Sequence, residues 1–109
     1  MELTGKCKEE FKKWLNVNYK DCGVVPHSID VYWSVFDLFY KLPKSMQYGL
    51  LEDYFDSVLI RISINQHNGA YWYDIQSPFF EFGKVKTRTE SRTAAIEKAN
   101  ELRNEVLNK

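Results

Sequence analysis

Residue types that commonly do chemistry are sparse in this chain, and they do not fall at catalytic spacings. The two histidines, His27 and His67, lie in separate predicted loops and form no HExxH pattern. The chain has neither a GxSxG nucleophile turn nor the GxxxxGK and GxGxxG patterns that hold phosphates. We therefore expect no catalytic residues and no cofactor, and the sequence predicts that the protein is not an enzyme.

Carboxylates, thiols and imidazoles also lack the spacing of a metal centre. Asp53 and Asp56 lie near Glu52 on a predicted helix, but no EF-hand pattern surrounds them. The two cysteines and His27 are not arranged in the ligand pairs of a zinc site. We expect no metal site, and we interpret the acidic group as a solvated helix face that is also able to contact a basic partner.

A basic stretch offers an arrangement suited to an anion. Lys84, Lys86, Arg88 and Arg92 lead into a predicted helix, whose free backbone N–H groups attract phosphates. A sheet followed by a helix with basic ends is similar to double-stranded RNA binding domains. However, fifteen basic residues balance fifteen acidic ones, whereas proteins that bind nucleic acid mainly through phosphates are strongly basic. A small nucleic-acid-binding module is therefore an alternative hypothesis, and ordinary capping explains the stretch equally well.

Length and composition indicate one small globular domain spanning residues 1–109. The chain is 44% hydrophobic and 16% aromatic, which is enough for a core and argues against disorder. No apolar run approaches the roughly 18 residues of a membrane span, and the charged N-terminal segment lacks the apolar stretch of a signal peptide. Cys7 and Cys22 are too few for a secreted disulfide framework, so we expect free thiols in a reducing cytoplasm.

Hydrophobic spacing predicts four helices, over residues 6–17, 29–41, 46–56 and 90–108. Their expected N-caps are Thr4, Ser28, Ser45 and Thr89. The inward faces are expected to carry Cys7, Phe11, Trp14 and Leu15 in the first helix, Met46, Leu50 and Tyr54 in the third, and Ala95, Ile96, Ala99, Leu102 and Val106 in the last. The second helix is apolar almost all round, with Tyr32, Trp33, Phe36 and Tyr40 beside its main stripe, so it must be buried on two sides or meet a partner.

A β-hairpin over residues 58–77 is the strongest local prediction. Apolar and polar residues alternate after Val58, and Asn68-Gly69 is the dipeptide that most favours a type I′ turn. The turn sets the register. Ile64 then pairs with Tyr73 and Ile62 with Ile75 on an apolar face, while Asn65 pairs with Trp72, Ser63 with Asp74 and Arg61 with Gln76 on the other.

A third strand is expected over residues 79–85, with Gly83 at a bulge. The elements then follow the order α-α-α-β-β-β-α. The predicted fold class is α+β, a single small domain in which helices pack on an antiparallel three-stranded sheet.

The polar face of the hairpin is the predicted partner-binding site. It displays Arg61, Asn65, His67, Trp72 and Asp74 together, and a tryptophan among polar residues on an open face resembles a binding hot spot. Two alternatives stay open. A neighbouring helix of the same chain covers this face, or the face joins a second copy in a homodimer or a larger self-assembly.

Two segments carry a resemblance to known proteins. Residues 42–49, LPKSMQYG, together with residues 53–58, DYFDSV, form the first, and residues 86–101, KTRTESRTAAIEKANE, form the second. They resemble stretches of small uncharacterised accessory proteins of tailed phages and prophages of gut bacteria. The segment between them is not matched.

The resemblance implies a biological context but no site residues, because no catalytic residues are known in the family. Small non-catalytic phage proteins bind host machinery, including restriction and CRISPR nucleases, and anti-CRISPR proteins share this size and lack of motifs. The resemblance therefore implies a phage-encoded protein in the cytoplasm of a bacterial host, where it inhibits a host factor, first of all a CRISPR–Cas effector. The matched segments also specify the scaffold, so partner specificity is expected in the hairpin between them.

Overall fold

Helices and strands follow one another in the predicted order, so the α+β fold class is confirmed. The structure is a computed structural model that describes residues 2–19, 35–77 and 79–109, except for the side chains of residues 35, 77, 79 and 80. Its helices are α1 (Gly5–Tyr19), α2 (Val35–Phe39), α3 (Lys44–Ser57) and α4 (Arg88–Leu107). Its strands are β1 (Arg61–His67), β2 (Ala70–Ser77) and β3 (Phe79–Val85).

Several predictions on the second helix and the loop before it lie outside the described residues. They concern Cys22, His27, the Ser28 cap, Tyr32 and Trp33. The described end of this helix contacts the first: Phe36 is half-buried, and its ring lies 6.5 Å from that of Phe11. The helix ends before Pro43, as the proline predicts.

The predicted hairpin register is confirmed. β1 pairs with β2 in antiparallel fashion, with Ile64 opposite Tyr73 and Asn65 opposite Trp72. Asn68 and Gly69 form the turn, with φ values of 53° and 76°. A type I′ turn requires positive φ at both central residues, and this dipeptide adopts such angles with little strain.

The first strand begins at Arg61 rather than at Val58, because α3 ends in a Schellman motif. Leu59 has a positive φ of 65°. Its N–H donates to the Asp56 carbonyl at 3.1 Å, and the Ile60 N–H donates to the Phe55 carbonyl at 2.8 Å. The prediction that the strand starts at Val58 was wrong, since residues 58–60 complete the helix end.

β3 is confirmed, but the bulge predicted at Gly83 is wrong. The pairing of β2 with β3 runs on without an extra residue, and Gly83 lies opposite Tyr73. The Tyr73 ring occupies the place where a Cβ at position 83 would lie. The glycine is therefore explained by the aromatic ring that covers it.

Two predicted helix caps are displaced. α4 begins at Arg88, and its cap is Thr87, whose hydroxyl accepts a hydrogen bond of 3.1 Å from the Glu90 N–H. The T-x-x-E spacing of Thr87 and Glu90 is that of a capping box, which Thr89 lacks. α3 already starts after Pro43, whose φ of −54° suits a helix start, so Ser45 lies inside the helix.

The core lies between the helices and one face of the sheet. α4 packs across all three strands, α3 packs beside β1, and α1 packs on α4 and α2. Buried side chains at the centre include Phe11, Leu51, Phe55, Ile75 and Ile96.

Two expectations about the core were wrong. Met46 is 57% exposed, because Gln47 turns inward instead and donates a hydrogen bond of 2.9 Å to the Leu42 carbonyl. Val106 is 53% exposed, because the last turns of α4 meet α1 through polar groups rather than through an apolar stripe.

Candidate functional site

The five predicted partner-binding residues share one surface, which we call the outer face. It is the side of the sheet opposite the buried residues Ile62 and Ile75. Since alternate residues of a strand point to opposite faces, the outer face carries Arg61, Asn65, His67, Trp72 and Asp74. The described helices pack on the other side of the sheet, through Ala95, Ile96 and Ala99 of α4.

Trp72 and Phe82 form an aromatic pair at the centre of the outer face. Their ring centroids lie 6.0 Å apart, with an angle of 44° between the planes. Trp72 is half-buried on the central strand, whereas Phe82 on β3 is 62% exposed. The Lys84 Nζ lies 5.9 Å from the Trp72 ring, within reach of a cation–π interaction.

Phe82 was missed as a site residue, although the sequence contained a signal for it. In the predicted third strand, Phe82 alternates in step with Lys84, and the pairing places it diagonally next to Trp72. The alternation of the hairpin alone does not indicate this contribution, because β3 completes the outer face.

Polar groups surround the aromatic pair. The Asn65 side-chain amide donates a hydrogen bond of 2.8 Å to the Asp74 carboxylate, which orients both side chains. The Arg61 Nε lies 3.9 Å from an Asp56 carboxylate oxygen, and since both side chains are largely exposed this pair contributes little stability. An apolar centre with a polar rim is the usual layout of a protein interface.

The structure divides the four basic residues of the predicted phosphate site between two places. Lys84 and Lys86 line a cavity beside the hairpin turn, and Lys84 also reaches the Trp72 ring on the outer face. The guanidinium groups of Arg88 and Arg92 lie 5.8 Å and 4.9 Å from the rings of Tyr71 and Tyr48. Arg88 and Arg92 line a groove of about 430 Å³ beside β1. Nucleic-acid binding stays a prediction, but the four residues do not form one patch.

The carboxylates of Glu52, Asp53 and Asp56 on α3 lie close enough together to affect the ionisation of Glu52. Burial raises the pKa of Glu52, the charges of Asp53 and Asp56 raise it further, and Arg92 opposes the shift. Within residues 2–19, 35–77 and 79–109, no three His, Cys, Asp or Glu side chains are grouped so as to hold a metal ion.

A polar cluster inside the molecule joins α1, α3 and α4. The Tyr54 hydroxyl donates to Glu10 at 2.8 Å, and Arg103 donates to both oxygens of Glu10 at 2.8 and 2.9 Å. The Cys7 Sγ lies 3.6 Å from the Tyr54 hydroxyl, and burial raises the pKa of the Cys7 thiol to about 11. A thiol held neutral in this way is a poor nucleophile, so the cluster connects helices rather than doing chemistry.

No protein-family model matches the chain, and neither curated proteins nor solved structures give a significant match. Among the helices of the described residues, none is long and apolar enough to cross a membrane.

Proposed function

We propose that this protein is a non-catalytic binding protein that docks on a partner protein through its outer face. The observation that carries the proposal is the Trp72–Phe82 pair at the centre of that face, in which Trp72 is half-buried and Phe82 is exposed. Phe82 is 62% exposed, and burying the rest of its ring against a partner would remove apolar surface from water, which favours association. Binding hot spots are enriched in Trp, Tyr and Arg and lie near the centre of an interface.

The surroundings of the pair support docking by a protein surface. The hydrogen bond between Asn65 and Asp74 fixes two polar side chains next to Trp72 before any partner arrives. Lys84 holds a positive charge over the indole from the opposite side. Little side-chain entropy is lost on binding to a surface whose polar groups are already ordered.

The proposed partner is a host factor that this protein inhibits, most plausibly a defence nuclease of the CRISPR–Cas type. This part of the proposal rests on the resemblance of residues 42–49, 53–58 and 86–101 to phage accessory proteins. It also fits the lack of catalytic patterns in the sequence. Docking on the outer face would inhibit such a nuclease by covering a surface that it needs.

A plaque assay in bacteria with an active CRISPR–Cas system tests the inhibitory function. Expression of the protein is expected to restore plating of a phage that the system targets. The double variant Trp72→Ala/Phe82→Ala is expected to lose this protection, whereas Val106→Ser, which removes an exposed apolar side chain from α4, retains it. Absence of protection by the unaltered protein across the CRISPR–Cas types tested would count against a nuclease partner.

Self-association through the same face is the alternative explanation for the aromatic pair. It predicts a dimer whose population rises with protein concentration and falls when Phe82 is replaced by serine. Sedimentation of the unaltered protein distinguishes the two readings, since the proposed function predicts a monomer in the absence of its partner.

A further inference from the structure

Among the described residues, no strand pairs with one side of the β1 backbone. The sheet order there is β1-β2-β3, so β1 is an edge strand. In a two-residue β-turn the flanking residues, His67 and Ala70, form a hydrogen-bonded pair. Because such pairs alternate along an antiparallel ladder, Ile62, Ile64 and Gln66 direct their N–H and C=O groups away from β2.

Within the ranges that the structure describes, this edge lacks several of the features that usually protect an exposed strand. β1 pairs with β2 over seven consecutive residues without a bulge. Its sequence, RISINQH, contains no lysine and no proline, and its one arginine, Arg61, lies at the end of the strand. Natural proteins shield open edges with short strands, bulges, proline or lysine, so a regular edge of this length is suited to accept another strand.

A groove of about 430 Å³ runs beside this edge. One side is the strand itself from Ile62 to Asn65, whose side chains alternate between the two faces of the sheet, so the groove follows the backbone edge. Tyr48 and Glu52 of α3 and two arginines of α4 line the rest. These four strand residues span roughly 10 Å, enough for a short extended segment to pair.

The arginines give the groove its chemical preference. Within the described part of the chain, Arg88 and Arg92 have no carboxylate within 4.0 Å. Each guanidinium lies over a tyrosine ring, Arg88 over Tyr71 and Arg92 over Tyr48. A cation–π contact does not occupy the N–H donors of a guanidinium, and a guanidinium binds a carboxylate with two parallel hydrogen bonds.

We infer that the β1 edge binds an extended peptide segment that carries an acidic side chain, which pairs with β1 as a fourth strand. Backbone hydrogen bonds to Ile62 and Ile64 hold the segment, and Arg88 and Arg92 select its carboxylate. Peptide-binding domains commonly add a ligand strand to a sheet edge in this way, with backbone bonds giving affinity and side-chain sites giving specificity. The inference is separate from the proposed function, since it uses the backbone edge of β1 and two arginines of α4 rather than the aromatic pair of the outer face.

Selection from a displayed library of random decapeptides tests this inference. We expect enrichment of peptides with one Asp or Glu among β-branched residues. A synthetic copy of the best peptide is then expected to lose about tenfold in affinity when Arg88 or Arg92 is replaced by Gln, because charge-assisted hydrogen bonds are lost. Lys86→Gln, which removes the same charge outside the groove, is expected to leave the affinity unchanged.

Amide hydrogen exchange gives a readout that needs no variant. Bound peptide is expected to protect the amides of Ile62 and Ile64, whereas the amides of Ser63 and Asn65 are already protected by β2 in the free protein. Gln66→Pro is expected to weaken peptide binding, because it removes an outward N–H without breaking a bond to β2, and Gln66→Ala serves as its control.

Three results would overturn the inference. One is a library that gives no acidic enrichment. Another is a peptide whose affinity is insensitive to both arginine substitutions. The third is protection of Ile62 and Ile64 that appears with rising protein concentration alone, which would show that a second copy of the chain occupies the edge.

Discussion

Asn104, in the last helix, caps the start of the first: its Oδ1 accepts a hydrogen bond of 2.9 Å from the backbone N–H of Cys7. Its Nδ2 donates to the Thr4 carbonyl at 2.9 Å, so one amide satisfies groups on both sides of the helix start. Gly5 lies between them with a positive φ of 62°, and a Cβ there would come within 2.9 Å of the Asn104 Oδ1. The two ends of the described chain are thereby joined.

Asn104→Ala is expected to lower the free energy of unfolding by about 1–2 kcal/mol, the usual cost of removing a helix cap. Urea denaturation followed by circular dichroism measures this. Asn108→Ala, a similar truncation at the exposed residue that follows α4, is expected to change stability by less than about 0.5 kcal/mol. Equal effects of the two substitutions would show that Asn104 does not act as a cap.

Glu10 is expected to make the stability fall at low pH. Hydrogen bonds from Arg103 hold the pKa of the Glu10 carboxyl below its usual value of 4.5, with burial opposing them. Because the pKa of Glu10 is lower in the folded state than in the unfolded state, its carboxylate stabilises the folded protein at pH values above its ordinary pKa. This stabilisation is lost as the pH falls through the pKa of the folded state. Glu10→Gln is expected to cost about 2 kcal/mol at pH 7 and to weaken the pH dependence below pH 4.5. Denaturation curves between pH 7 and about pH 2 test this, and identical slopes for both proteins would contradict it.

Ionised Glu52 is expected to lower the stability of the folded protein, whereas ionised Glu10 raises it. Burial raises its pKa, and the neighbouring carboxylates of Asp53 and Asp56 add to the shift. Because the pKa of Glu52 is raised in the folded state, its ionised carboxylate destabilises the folded protein at pH values above that pKa. This destabilisation disappears as the pH falls below the ordinary pKa of 4.5. Glu52→Gln is therefore expected to stabilise the protein at pH 7 by up to about 0.5 kcal/mol, a gain that shrinks on acidification. A variant less stable than the original at pH 7 would show that Glu52 makes a favourable contact instead.

Leu59 and Gly69 are expected to respond oppositely to substitution, although both have positive φ. Leu59→Gly is expected to stabilise the protein by about 1 kcal/mol, because the side chain is 74% exposed and glycine relieves the left-handed conformation. Gly69→Ala is expected to destabilise it by about 1 kcal/mol for the same steric reason. Thermal melting measures both, and a loss of stability in Leu59→Gly would indicate that the leucine side chain has a packing role.

How far the sequence predicted the structure depended on whether the signals were local. The hairpin register was predictable because the Asn68-Gly69 turn and the alternation of residues agree within one segment. The cap of α4 was also predictable, because the spacing of Thr87 to Glu90 is a local signal. The prediction of Thr89 was wrong. Around Leu59 the sequence pattern was misleading. Apolar and polar residues already alternate at the end of α3, so the pattern predicted a strand where the chain completes a helix.

The features that sequence reasoning missed arise from contacts between distant segments. Nothing near Asn104 indicates that it caps a helix 97 positions earlier in the chain. The groove beside β1 depends on how α3 and the start of α4 lie against the strand, which no periodicity encodes. On the outer face, the predicted site left out Phe82, because that residue reaches the face only through the pairing of β3 with the hairpin.

The most direct test of the outer face is capture of a partner from a bacterial lysate by the immobilised protein and three variants, with the unfolding free energy of each measured in parallel. We predict that the unaltered protein and Val106→Ser retain the same partner in a fixed ratio. Trp72→Ala and Phe82→Ala are expected to lose that partner while staying folded, with unfolding free energies lowered by less than about 1 kcal/mol. Undiminished capture by Trp72→Ala and Phe82→Ala, or a loss of stability of about 3 kcal/mol or more in either, would contradict the account and assign the aromatic pair to the core.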